Sequence, residues 1–544
     1  MADIPVLVVG AGPVGLALAL DLSWRGIPCT VIDQGDGSLL QPRMDLVSVR
    51  TMEFCRRWGI AEAIENAGYP RDVPQDIVYV TSVTGFEMGR EVRPAMRDEQ
   101  RPAFSPQKRE RCPQNYFDPV LLQAVRSYSS ATVHHHCRLI AFRQDADRVL
   151  AEVEDTRSGS RQTIACQYLV GCDGAGSIVR RDLDIEMRGE NVLTNSVNIL
   201  LRHPDVIRLS GKRPLYRFVL IDNKGLWATM VAINGRDQWR LQVIEGPSSR
   251  GVGADYIDSV ITRAFGRRIT VSDVSAVHWQ RRELVAERYV DGRVILCGDS
   301  AHQMSPTGGF GMNTGIGEAV DLGWKLAARL AGWGGSNLLA SYDEERRPIA
   351  QRNVAEASNN LARMTAIRDL PGLLDESPAG ASLRSAVGQR VSEAMSREWN
   401  AINIHIGYRY DGSPICVSDG TPFPPDDVTR YVQTARPGAR APHVWLDDTR
   451  STLDLFGRDF VLLRLGSTPP ATDLLEAAFS AASVPLTVQT LDLPSVRQAY
   501  DANLVLVRPD GHVGWRSNHV PAEPDHVVET LRGAAGAAVT RQTA

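Results

Sequence analysis

Ile4-Pro-Val6-Leu-Val-Val-Gly10-Ala-Gly12-Pro13-Val14-Gly15-Leu-Ala-Leu-Ala-Leu20, with Asp33-Gln34 closing the next apolar run, is the stretch on which the fold turns. Residues 6–9 form the short continuous apolar run of a buried parallel strand, residues 14–25 read as a helix, and residues 29–33 as a second strand. The spacing predicts a βαβ unit with a glycine turn at its first corner. Gly10 permits the tight turn, Gly12 lets backbone approach a pyrophosphate, and Gly15 allows close helix–strand contact. Pro13 and Val14 open the helix, whose N-terminus favours phosphate. Asp33 stands 18 residues beyond Gly15, where a carboxylate takes a ribose 2′-hydroxyl, with Gln34 beside it. These residues point to a dinucleotide without separating a nicotinamide from a flavin.

Working outward, 544 residues exceed what one core usually supports, so two or three domains are expected. A 43% hydrophobic and 23% charged composition is that of an ordinary globular protein. The net charge of -4 gives no reason to expect nucleic-acid binding. Residues 6–22 are apolar but lack a basic flank and are broken by Gly10, Gly12, Pro13 and Gly15, so a signal peptide is disfavoured. No other run of about 20 apolar residues occurs, and no membrane span is expected. The eight cysteines are scattered without a C-x-x-C pair, which suggests reduced thiols and a cytoplasmic location. His134-His135-His136 hints at a metal, but neighbours on a strand point to opposite faces and no acid or cysteine sits at ligand spacing, so none is expected.

Residues 293–297 read as another strand ending in Gly-Asp, and 315–330 as a helix. Between them, residues 191–201, 216–221, 227–233 and 239–244 are β-rich runs, which predicts a sheet inserted within the nucleotide-binding part. The Gly/Pro/Ser-rich stretch 411–425 reads as a boundary. Residues 451–465, 473–482, 486–491 and 504–507 then suggest a small α/β unit, and the Ala/Gly/Thr-rich tail from Gly533 is expected to fray.

Two later segments choose between the dinucleotides. Gly171-Cys-Asp173-Gly174-Ala-Gly-Ser177-Ile-Val-Arg180 resembles the DG motif of the para-hydroxybenzoate hydroxylase-like, or group A, flavoprotein monooxygenases. Gly298-Asp299-Ser-Ala-His302-Gln-Met-Ser-Pro306-Thr-Gly308-Gly309-Phe-Gly311-Met312-Asn313 resembles their GD motif. Residues 437–457 resemble the thioredoxin-like appendage of the phenol hydroxylase and polyketide hydroxylase subgroup, here without C-x-x-C. The resemblance implies an α/β fold: a Rossmann-like FAD-binding domain (1–75, 105–185 and 280–370), an inserted β-sheet substrate domain (76–104 and 186–279), a helical connector (371–415) and a thioredoxin-like domain (416–544). It also implies tightly bound, non-covalent FAD, with NADPH or NADH as reductant, O2 as co-substrate and a small aromatic substrate. A homodimer is open.

Residue by residue, the resemblance places Arg43 near the FAD adenosine or phosphates and Gln114 on the flavin side. It places Asp299 on the ribityl chain, and Pro306, Gly309, Gly311, Met312 and Asn313 around the flavin ring. Asp173, Gly174 and Arg180 belong to the same cofactor site. Asp173 and Arg180 are candidates for transient reductant contact, with structural salt-bridging as the equal alternative. Hydroxylation of a phenolic aromatic substrate through a flavin C4a-hydroperoxide is implied, with displacement of a nitro or halide ring substituent open. Asp45 matches the subgroup's aspartate facing a phenolic hydroxyl: shielding could raise its pKa and make it a general base, or it could cap the helix expected over 49–56. Tyr216, Arg217 and Trp227 are candidates to line the substrate chamber, and His302 to orient neighbours. Baeyer–Villiger-type oxygenation of a polycyclic substrate and a non-catalytic FAD-binding protein are the rival readings.

Overall fold

The parallel strand core that carries the first glycine turn has Ile4–Val9 at its centre, in a computed structural model that describes residues 4–39, 41–245 and 252–535. Ile4–Val9 pairs in parallel with Cys29–Ile32 on one side and Arg161–Gly171 on the other. Val294–Leu296 and Ala131–His134 extend the sheet outward, also in parallel. Val6, Leu7 and Val8 are fully buried, each contributing about 1.5–3 kcal/mol of transfer free energy. Both faces of such a sheet are covered, which is why the strands read as unbroken apolar runs.

Helix Pro13–Trp24 is buried from Gly15 to Ser23 and shows no polar stripe, as expected of a helix enclosed on all sides. It packs against helix Phe310–Leu330. Glycines set that distance: a Cβ at Gly315 would lie 2.5 Å from Val14, and one at Gly323 2.3 Å from the Asp21 carboxylate. Helix Phe310–Leu330 starts five residues before the expected position, at the N-cap Gly309 with φ +67°. Glycines at 308, 309 and 311 masked the start, because glycine is a poor helix former.

The inserted sheet has eight strands. Its order runs His302–Gln303, Ser272–Ala286, Met187–Arg202, Gln238–Val243, Gly225–Ala232, Arg217–Asp222, Ile77–Val80 and Glu87–Glu91. One face packs on helix Ala254–Phe265 through Val197, Ile199, Phe218 and Trp239. The opposite face meets helices Ala340–Thr365 and Pro378–Trp399 through Tyr79, Val219 and Ile221. The rest of that face lies over the glycine-rich segments.

A third sheet, Leu486–Leu491, Phe460–Leu465, Leu504–Val507 and Val513–Ser517, has one parallel and two antiparallel pairings. It is fastened to the first domain by buried charges. Arg508 binds Glu345, Asp321 and Asp510, while Lys325 binds Asp321 at 2.8 Å and Glu345 at 2.6 Å. Burial alone would raise the Glu345 carboxyl, but Arg508 and Lys325 hold it at about 2.

The stretch 411–425, expected as a boundary, is tied to its surroundings. Ile415 is buried, Val417 N–H donates to Gly514, and Arg516 pairs with Asp419. The expected fraying of the tail falls mainly on 536–544, outside the described residues. Gly533 and Ala535 accept hydrogen bonds from Asn337. Among the described residues no cysteine is in a disulfide, no acid–His–Cys group could hold a metal, and no helix is long and apolar enough to cross a membrane.

Removing one partner from a buried ion pair leaves the other charge stranded. Arg508→Ala is expected to destabilise the protein by about 3–5 kcal/mol, read from the chemical denaturation midpoint; a midpoint within error of wild type would refute the role of this network.

Candidate active site

Gly10 takes φ +108°, and its amide donates to Ile32 at 2.8 Å, closing the turn. A Cβ here would lie 2.4 Å from the Cys172 carbonyl oxygen, so the first glycine motif and Asp173 are brought together by backbone contact. Gly15 faces the same limit, 2.0 Å from the Gly10 carbonyl, whereas a Cβ at Gly12 would meet nothing within 4 Å. Gly12 is the helix N-cap, Pro13 opens the helix and Val14 wedges against Gly298 and Gly315. The Asp33 carboxylate accepts from Ala11 N–H at 2.7 Å and Gly35 N–H at 2.8 Å, which fixes it beside the glycine turn; Gln34 is exposed next to it.

The second motif is knitted to the third. Asp173 Oδ2 accepts from the amides of Ile178 and Val179, while its Oδ1 is buried without a partner. Gly174 turns the chain at φ +78°. Arg180 donates to the carbonyls of Ser300 and Ala175 rather than forming the ion pair with Asp173 entertained above. Asp173 takes the orphan amides at the start of helix Ile178–Asp182, whereas Arg180, within that helix, reaches carbonyls outside it.

Asp299 lies deep in the molecule and still opens to the cleft; burial raises its carboxyl, against His302 and Arg43. That coupling places Arg43, whose guanidinium is exposed, on the same cleft. Arg43 N–H donates to Gln114 Oε1 at 3.0 Å, and Gln114 Nε2 donates to Asp118. Pro306 is exposed at the cleft, and Gly311 and Met312 occupy the first turn of helix Phe310–Leu330, where amides have no intrahelical acceptor. The Asn313 side chain is committed elsewhere: it accepts from Ser48 N–H and Thr51 Oγ1 and donates to the Leu46 and Gly309 carbonyls. Buried His302 bonds Glu318, which also accepts from Gly298 N–H, so it orients the third motif.

Two details expected of Asp45 are corrected: its carboxyl is not raised, and it does not cap the following helix. Ser48, not Asp45, caps helix Val49–Arg57. Burial would raise the Asp45 carboxyl, but Arg111, Arg240, Tyr216 and Arg217 together hold it below the usual aspartate range. It pairs with Arg111 at 3.0 Å and accepts a short hydrogen bond from Tyr216, whose hydroxyl also accepts from Arg111. The short ribbon Leu46–Val47 with Glu110–Arg111 brings Asp45 and Arg111 together.

Strand Gln238–Val243 shows why the inserted sheet faces the cleft with polar atoms. Trp239, Leu241 and Val243 point into the helix-backed core, so Gln238, Arg240 and Gln242 point the other way. Register carries this face across the sheet. Arg217 pairs with Val231, Val231 with Arg240, and Arg240 with Leu200. In the next row Thr229, Gln242 and Asn198 align, and beyond them Ser196 pairs with Trp279 and Thr194 with Arg281. Arg240 donates to the Pro42 carbonyl at 2.7 Å, and Arg281 to Ser305 at 3.2 Å, so this face lies over the flanks of Arg43 and Pro306. Arg217 reaches Glu398 at 3.3 Å. The Nε atoms of Arg217 and Arg240, Glu398 Oε2 and Trp279 Nε1 are buried without partners. Trp227 is instead turned into the helix-backed core beneath Arg263, away from this face. Of the residues missing from the sequence reading, Arg240 carried a signal in the alternation of 238–243, whereas Arg111, Arg281, Trp279 and Glu398 lie on other elements and meet the cleft only after folding.

Residues 3–357 match the FAD binding domain family, and residues 434–538 match the aromatic-ring hydroxylase C-terminal family. The chain is 30% identical to 4-methyl-5-nitrocatechol 5-monooxygenase of Burkholderia sp, covering 96% of each. Among solved structures it is similar to chromopyrrolic acid-soaked RebC with bound 7-carboxy-K252c, at TM-score 0.90 and 40% identity over 98% of this chain and 99% of that one. It is also similar to the flavin-dependent monooxygenase PieE in complex with FAD and substrate, at TM-score 0.86 and 29% identity over 97% and 98%. The chain belongs to the FAD-binding aromatic-ring hydroxylases, a family of flavoprotein monooxygenases. The cleft fits FAD: Gly12 leaves open space at a helix N-terminus, Asp33 is fixed beside it, and Asp299 keeps a carboxylate open to the cleft.

Gly10→Ala forces a Cβ into the Cys172 carbonyl at a φ that L side chains avoid. Purified Gly10→Ala is expected to carry less than a tenth of the wild-type flavin by visible absorbance; full occupancy would refute the role of this contact in building the cleft.

Proposed function

We propose that this protein is an NAD(P)H- and O2-dependent monooxygenase that oxygenates an electron-rich aromatic acid larger than a single ring. The observation that carries this reading is the polar face of the inserted sheet. From Arg217 to the strand of Arg281 it crosses four strand spacings, about 19 Å at roughly 4.8 Å each, far wider than one ring. The face and its end carry four guanidinium groups, on Arg111, Arg217, Arg240 and Arg281, against the two carboxylates of Asp45 and Glu398. That excess favours an anionic ligand, and the unpartnered Nε atoms of Arg217 and Arg240 supply donors for a carboxylate. The RebC relative, bound to 7-carboxy-K252c, supports a carboxylated substrate class.

FAD, held by Gly10–Gly15, Asp33, Arg43, Gln114, Asp299 and the start of helix Phe310–Leu330, supplies oxygen activation when bound. The chain's own residues position the substrate. Arg217 and Arg240 hold its carboxylate, Trp279 offers an aromatic flank, and the sheet excludes water from the ring to be attacked. Asp45, kept anionic by Arg111, accepts from the Tyr216 hydroxyl and so orients that hydroxyl.

A second reading, hydroxylation of a single-ring phenol, is favoured by the Asp45–Tyr216–Arg111 cluster, which offers a hydroxyl and a carboxylate to a phenolic oxygen. The nitrocatechol monooxygenase relative supports it.

Substrate-stimulated NAD(P)H oxidation, coupled to product mass, separates the two across single-ring phenols and fused-ring aromatic acids. The acids are expected to stimulate more strongly, and Arg240→Ala to raise KM for them at least tenfold with full flavin content. Faster turnover of single-ring phenols, or an unchanged KM in Arg240→Ala, would overturn the aromatic-acid reading.

A further inference from the structure

Between helix Val49–Arg57 and the C-terminal domain lies a cavity of about 240 Å³ that shares no lining residue with the cleft described above. Three guanidinium groups, on Arg50, Arg56 and Arg57, reach its wall, and Trp24, Phe54 and Phe456 supply aromatic surface. The acids of the wall are already taken. Glu53 pairs with Arg50 and Arg440, and Asp454 makes a two-pronged pair with Arg56 at 2.7 and 2.9 Å.

Arg57 is the cation left over. Among the described residues it has no ion pair, and its one hydrogen bond is a long one, 3.3 Å from Nη1 to the Pro509 carbonyl. Burial first, then repulsion from Arg50 and Arg25, pushes its guanidinium down to about 10. Asp21 and Asp510 pull the other way but neither comes within ion-pair distance, so the half-buried guanidinium keeps donors for an incoming anion. Two glycines keep its edges bare: a Cβ at Gly457 would lie 3.3 Å from Arg57 Nε, and one at Gly511 3.2 Å from Nη2. Arg50 also stacks on Phe54, 4.4 Å from the ring centroid, so the wall is both cationic and aromatic.

We propose that this interdomain cavity is a second binding site that takes a small aromatic carboxylate, its carboxylate on Arg57 and its ring against Phe54, Phe456 and Trp24. A guanidinium fork matches a carboxylate in two parallel hydrogen bonds. The apolar lining of Trp24, Phe54, Pro106, Leu453 and Phe456 favours a ring over an inorganic anion. The volume lies just under the roughly 300 Å³ at which drug-sized pockets begin, which suits a one-ring acid. Because the cavity joins two domains, an occupant would tie the C-terminal domain to helix Val49–Arg57.

The test titrates the FAD-loaded protein with benzoate by calorimetry, with sulfate as the inorganic comparison and the visible flavin spectrum as a marker of the cleft. Benzoate is expected to bind at least tenfold tighter than sulfate without changing the flavin spectrum. Arg57→Gln is expected to weaken benzoate at least tenfold, and Arg57→Lys less. Leu453→Trp, which fills the cavity without removing a cation, is expected to abolish binding, and it keeps the test decisive if Arg57→Gln does not fold. Equal affinity for sulfate, binding that survives Leu453→Trp, or benzoate binding that perturbs the flavin would overturn the proposal.

Discussion

A backbone-on-backbone contact, Gly10 against the Cys172 carbonyl, is the constraint on which the cofactor side of this molecule depends. No residue with a Cβ fits there, and the contact brings the first and second motifs within reach of one dinucleotide. The third motif joins through the same kind of economy, with Gly298 and Gly315 both pressed on Val14. Polar ties then fix what the glycines bring close. Arg180 binds the Ser300 carbonyl, and Asn313 links the ribbon at Leu46 to the start of helix Phe310–Leu330. Segments almost 300 residues apart thereby form one cleft.

Much of this was legible in the order of residues. The βαβ opening, the inserted sheet and the C-terminal α/β unit all carry periodic apolar runs, and buried strands cannot hide them. The start of helix Phe310–Leu330 was not legible, because its glycines serve the cleft and lower helix propensity where the helix begins. Asp45 was identified as a site candidate but its charge state was not, since that depends on Arg111 and Arg240, distant in sequence and near only after folding. Trp227 failed as a wall of the chamber for a related reason: an aromatic residue on a strand does not announce which face of the sheet it joins.

The same physics of enclosed charge recurs in three places with different outcomes. At the Arg508–Glu345–Lys325–Asp321 junction, cations and acids alternate and close on one another, so the contact is structural. Over the cleft, Arg217 and Arg240 keep unpartnered donors. Beside helix Val49–Arg57, Arg57 makes no ion pair among the described residues, although Glu53 and Asp454 share its cavity. Matched charge holds domains together, whereas surplus charge of one sign marks surfaces suited to an outside partner.

Strand Gln238–Val243 divides these duties within six residues: its odd positions build the core and its even positions face the cleft. The division has an evolutionary consequence. Residues 238, 240 and 242 can be exchanged one at a time without touching the packing that Trp239, Leu241 and Val243 provide. Substrate preference in such a sheet can therefore drift while the fold stays constant, and inserting or deleting a single residue would undo both at once.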